Sequence, residues 1–161
     1  MTIKVLRYAD IFGNFRLALT TGLEKKAATV AWSEREILRC EVPAYEVIEL
    51  SLASRQPYSQ VIYLLSEFVG ERDYILALRL LLARAGLLFE QNPGCAPDLI
   101  QGLRLLLAEE FIDHDLKTRL ITLNNGLELH QQGRLSKEEL AGKLADFLDE
   151  YTSYRKYLAD L

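Results

Sequence analysis

Glu109, Glu110, Asp113, His114 and Asp115 are the densest group of potential ligands in the chain. On a helix, Glu110 and His114 would share a face at i, i+4, and an oxygen-rich set suits a hard cation. The other histidine is His130, and no second Glu-x-x-His pair exists to complete a carboxylate-bridged bundle site. An acidic helix end followed by the N-cap of the next helix accounts for the same residues, so neither metal nor cofactor is expected. Asp146, Asp149 and Glu150 make a second acidic group. Carboxylates collected on one face can steer a basic protein towards it, raising association rates roughly 10- to 1000-fold. Those two groups, with Tyr157, are the expected partner-binding residues.

Other chemistry finds less support. The chain has no Gly-x-Ser-x-Gly, and neither Cys40 nor Cys95 sits in a local pattern with histidine that would mark an activated thiol. Gly13, Gly70 and Gly94 stand singly, so no phosphate-cradling loop is present. Arg79, Arg84 and Arg104 lie inside the most apolar stretches, where an unpaired charge is costly. They could line an anion pocket. The matching placement of Arg79 and Arg104 favours structural ion pairs instead, with Glu109 as one candidate carboxylate.

The charge is unevenly placed. Of 19 basic and 23 acidic residues, ten and ten fall in 1–80, leaving the whole excess of acid in 81–161. Phosphate binding is driven by clustered Lys and Arg, so nucleic acid is not the expected partner. No leader-like apolar run opens the sequence, and Arg79 and Arg84 interrupt its longest apolar run. Two cysteines without framework spacing complete the picture of a cytoplasmic chain that neither enters a membrane nor carries disulfides.

The elements that must position these residues read as helices. The stretch ILALRLLLA at 75–83 returns at 100–108 as IQGLRLLLA. Leu and Ala lose little side-chain freedom in a helix, and a helix apolar on nearly every side needs neighbours all round. With Asn92-Pro93-Gly94 between them, the two segments predict an antiparallel hairpin at the centre of an all-α bundle or short α-superhelix. The 25-residue offset leaves open whether this is a true tandem repeat.

The rest of the chain is expected to pack around that hairpin as one domain, 1–161, of about eight helices. Ile3 and Val5 alternate with Lys4 and could begin a short strand. Asp10 is an expected N-cap, with Gly22 as the stop. Phe12, Phe15, Leu19, Trp32 and Leu38 are expected to face inward, followed by Val47, Ile48, Leu50 and Leu52 after Pro43. Asp113 or Asp115 should cap a helix that Asn124-Asn125-Gly126 threatens to kink. Ser136-Lys137-Glu138-Glu139 is a capping box opening an amphipathic helix whose stripe runs Leu140, Leu144, Phe147, Tyr151, Tyr154, Leu158.

The function these features point to is a non-enzymatic protein-binding module. Small acidic helical proteins that neutralise a basic partner, such as bacterial immunity proteins and nuclease inhibitors, have a similar size and charge. The chain carries no motif of either group. A ligand-binding domain or enzyme with a pocket between helices is the alternative. A structural subunit pairing through its Tyr-bearing C-terminal helix is a third.

Overall fold

The computed structural model describes residues 6–161, so the alternation at Ile3 and Val5 lies outside the described residues. Eight α-helices follow one another: α1 (Tyr8–Thr21), α2 (Lys26–Arg39), α3 (Tyr45–Ser51), α4 (Tyr58–Val69), α5 (Ile75–Gln91), α6 (Ala96–Leu103), α7 (His114–Gln131) and α8 (Lys137–Asp149). Four 3-10 segments accompany them, at Leu52–Arg55, Pro93–Cys95, Arg104–Ala108 and Thr152–Asp160. No strand occurs among the described residues. The protein is all-α.

Contacts group the chain into two compact units. One takes in the described residues up to Ala77 with Asp160 and Leu161; the other is Leu78–Ala159.

The first unit is built on aromatic packing between α1 and α2. Trp32 meets Phe15 at 5.5 Å between ring centroids, Phe12 at 5.9 Å and Tyr8 at 6.0 Å, the last two edge-on. Edge-to-face contacts suit the ring quadrupoles, and the indole N–H keeps a partner by donating to the Asp160 carbonyl at 3.2 Å. α4 closes the other side of α1 with Val61, Leu65 and Val69 buried. Gly13 presses on Ala77, whose Cβ would stand 3.0 Å from any Cβ placed at that glycine. Beside it, Asn14 Nδ2 donates to the Ala77 carbonyl at 3.3 Å.

Several expected details change here. Asp10 does not cap α1. The helix starts three residues earlier, with Arg7 as N-cap, and Asp10 is buried against the Arg7 guanidinium at 3.0 Å. Pro43 precedes α3 by two residues. Leu38, Ile48 and Leu52, expected inside, are exposed, while Val47 and Leu50 are fully buried. α3 is short and packs on α2, and Val47 and Leu50 are its buried residues.

The second unit carries the acid-rich half. Leu80, Leu81 and Leu82 on α5 are fully buried, as are Leu103 and Leu106. The second Leu-rich copy is split: α6 ends at Leu103, a 3-10 segment follows, and Leu105 is exposed. α7 runs unbroken through Asn124-Asn125-Gly126. Tertiary packing overrides weak local propensity there, because Gly126 lets Leu140 and Lys143 of α8 come within 3.3–3.6 Å of where its Cβ would be. The capping box at Ser136 and Glu139 forms in both directions. The C-terminal stripe, however, is not one helix. α8 stops at Asp149, and Tyr154 and Leu158 belong to the following 3-10 segment. No described helix is long and apolar enough to cross a membrane.

Candidate functional site

α7 and α8 lie antiparallel, and the end where α7 begins and α8 finishes gathers most of the expected site residues. Asp113 caps α7, its Oδ1 accepting from the Leu116 N–H at 2.8 Å. One turn further in, Arg119 reaches across to the last residues of α8. Its Nη1 donates to Glu150 Oε2 at 2.9 Å and lies 4.0 Å from Asp115 Oδ2. Its guanidinium carbon sits 5.2 Å from the centre of the Phe147 ring. Burial disfavours the Arg119 charge, but the Glu150 hydrogen bond and the nearby Tyr151 outweigh it, so its pKa is raised. Arg119 stays a cation at any ordinary pH.

Tyr151 extends this cluster. Its ring meets Phe147 at 6.2 Å, and burial pushes its phenol pKa up against the lowering influence of Arg119. Arg79 lies over the Tyr154 ring at 5.4 Å, so its partner is aromatic rather than the expected carboxylate. Arg155, also in the 3-10 segment, grips both oxygens of Glu90 at 2.8 Å. These arginines hold the C-terminal segment onto its own unit.

Beside Arg119 is an open groove of about 320 Å³ lined by Arg119, Thr122, Leu123, Lys143, Asp146 and Phe147. Its floor is apolar, since Leu123 and Phe147 are buried. Its rim carries two cations and one carboxylate.

Each expected residue can now be located. Arg119 brings Asp115 and Glu150 together. Asp146 lines the groove, and Asp149 is the last residue of α8; both are exposed. Glu110 is exposed in the link before α7, and Glu109 follows the 3-10 segment half-buried. Tyr157 is half-buried with Lys156 over its ring at 5.1 Å. His114 is exposed at the α7 start, and His130 Nδ1 lies 2.9 Å from the Leu135 carbonyl. No group of three or more His, Cys, Asp or Glu among the described residues is placed to hold a metal.

The residue missed from sequence is Arg119. A hint was present, because Asp115 and Arg119 stand at i, i+4 on a helix. Nothing local pointed to Glu150, 31 residues on. A second cluster was also missed, in the first unit. Glu36, buried on α2, accepts from Tyr8 Oη at 2.7 Å and from Arg39 Nη2 at 2.6 Å. Arg39 holds the Glu36 carboxyl below the usual range, with burial acting the other way and Tyr8 reinforcing Arg39. Burial first, and then Glu36, raise the Tyr8 phenol. Both oxygens of the Glu36 carboxylate accept hydrogen bonds, which marks a structural clasp between α1 and α2 rather than a reactive acid.

No family model, curated protein or solved structure matches this chain.

Proposed function

We propose that the chain is a non-enzymatic protein-binding module that recognises a basic protein partner through the carboxylates around Arg119. An acidic inhibitor or immunity-type protein would work in this way. The observation that carries the reading is the pairing of one arginine with both acidic groups. Arg119 contacts Asp115 near the start of α7 and Glu150 just past α8, so carboxylates far apart in sequence share one end of the helix pair. Asp115, Asp146, Asp149 and Glu150 would supply the negative field that such a partner meets. Buried Phe147 and Leu123 give an apolar floor against which an arginine or lysine stem could pack. A protein rather than a nucleic acid fits that sign of charge. The free thiols of Cys40 and Cys95 fit a reducing, cytoplasmic setting.

The test uses the full tagged chain and a triple variant, Glu110→Lys, Asp146→Lys and Asp149→Lys. All three side chains are exposed, so the melting temperature should stay near that of the parent. A partner recovered from the native host should be basic. Its association with the parent should slow as salt rises, because exposed charges are screened over about 8–10 Å. The variant should associate roughly 10-fold or more slowly, with a flatter salt dependence. Equal association rates for both proteins at low and high salt would overturn the reading. The groove favours a second reading, a small-ligand site, for which saturable ligand-induced shifts of Phe147 and Thr122 resonances would be the evidence.

A further inference from the structure

α7 and α8 give the groove the same pattern of positions, i, i+3 and i+4: Arg119, Thr122 and Leu123 from one, Lys143, Asp146 and Phe147 from the other. Residues so spaced share one face of a helix, so each helix brings a cation, a polar side chain and a buried apolar one. The charges differ in what they already hold. Arg119 is occupied by Glu150 and covers the Phe147 ring. Lys143 and Asp146 stand one turn apart on α8, both exposed, and neither pairs with the other or with any further described residue. The Lys143 stem is held in place all the same, its Cδ lying 3.3 Å from where a Cβ on Gly126 would stand. An ammonium and a carboxylate, both unpaired, therefore sit side by side over a floor of Leu123 and Phe147.

We infer that the groove binds a free α-amino acid with a large apolar side chain, its carboxylate on Lys143, its ammonium on Asp146 and its side chain on Leu123 and Phe147. The inference rests on the small-ligand reading of this groove and not on the basic partner. Charge chooses the ligand. A simple anion placed here meets Asp146, and a simple cation meets Lys143 and Arg119, whereas a zwitterion answers both signs at once. Spacing agrees. Side chains at i, i+3 stand about 5–6 Å apart at Cβ, close enough for both to reach charges carried on one carbon atom. Size agrees too, because about 320 Å³ far exceeds an inorganic ion and lies at the small end of ligand pockets. A residue inside a peptide carries neither charge, so the pair selects the free amino acid.

The experiment is an NMR titration of the full chain with L-phenylalanine and L-leucine as probes. Phenylpropanoate, which lacks the ammonium, and phenylethylamine, which lacks the carboxylate, are titrated beside them. At least one amino acid should shift the amide resonances of Thr122, Leu123 and Phe147 saturably, with a dissociation constant in the millimolar range or tighter. Phenylpropanoate and phenylethylamine should each bind roughly 10-fold or more weakly, since each leaves one charge unanswered. Lys143→Met, which keeps the stem over Gly126, and Asp146→Asn should each weaken amino-acid binding by a similar factor. Both side chains are exposed, so the melting temperature should stay near that of the parent. No saturable shift from any probe would overturn this inference and the small-ligand reading together. A single-charge probe that binds as tightly as the amino acid would leave a small-ligand site and overturn the zwitterion. Amino-acid binding unchanged in both variants, or shifts confined to residues outside the groove, would equally overturn it.

Discussion

Arg119 and Glu150 join the first turns of α7 to the end of α8 through a hydrogen-bonded ion pair of 2.9 Å. Arg119 is the less exposed partner, and it also covers the Phe147 ring. Such a pair contributes about 0.2–1 kcal/mol, and the cation–π contact a similar amount. Arg119→Ala should therefore lower stability in urea unfolding by about 1–2 kcal/mol, more than Glu150→Ala. Equal effects of the two substitutions would show that the ring contact contributes nothing.

The Glu36 clasp predicts an acid-sensitive first unit. Arg39 and Tyr8 depress the carboxyl pKa in the folded chain, so ionised Glu36 stabilises the fold above its unfolded pKa of about 4.3. That stability is lost as pH falls through the lower, folded value. Glu36→Gln should destabilise the protein at neutral pH and flatten the stability curve in the acid range. Thermal melts of parent and variant between neutral pH and strong acid would converge as pH falls. Curves that stay parallel would remove Glu36 from the acid response.

Gly86 and Arg155 predict a coupling. A Cβ at Gly86 on α5 would stand 2.8 Å from Arg155 Nη2, inside van der Waals contact. Gly→Ala within a helix ordinarily gains about 1 kcal/mol. In the parent that gain should vanish, because the guanidinium must move and disturb its grip on Glu90. In an Arg155→Ala background Gly86→Ala should recover the gain of about 1 kcal/mol. A double-mutant cycle by chemical denaturation measures it, and a coupling near zero would mean that Arg155 shifts without penalty.

Leu81 and Leu106, both fully buried, test the Leu-rich centre of the second unit. Leu81→Ala should cost about 2–5 kcal/mol as a cavity, and Leu81→Asp more, because it also buries a charge. If the two Leu-rich segments pack on one another, Leu81→Ala and Leu106→Ala should be non-additive by about 0.5 kcal/mol or more. Strict additivity would separate the segments, and a Leu81→Asp protein that melts like the parent would remove α5 from the core.

Local chemistry made much of this protein legible from its sequence. The helical class follows from Leu- and Ala-rich stretches whose backbone preference needs no distant partner. The Asp113 cap and the Ser136–Glu139 box were readable because donor and acceptor lie three residues apart. The stop at Gly22 was readable because that position takes a positive φ, 77°, which glycine adopts freely. The acidic groups were visible as composition.

Only the tertiary structure decided which competing local choices won and which distant residues met. Asp10 has the type of an N-cap, yet Arg7 three residues earlier offers an ion pair, and the helix extends back past the expected start. Ile48 and Leu52 have the type of core residues, but Val47 and Leu50 are the ones that α3 buries. The stripe through Tyr154 keeps helical spacing in sequence, while the α-helix ends at Asp149 and a 3-10 segment takes Tyr154 to Arg79. Glu36 found Tyr8 across 28 residues and Arg119 found Glu150 across 31. Periodicity reports which side of a helix is apolar. It does not report which side has a neighbour, because that depends on chain brought near by packing elsewhere.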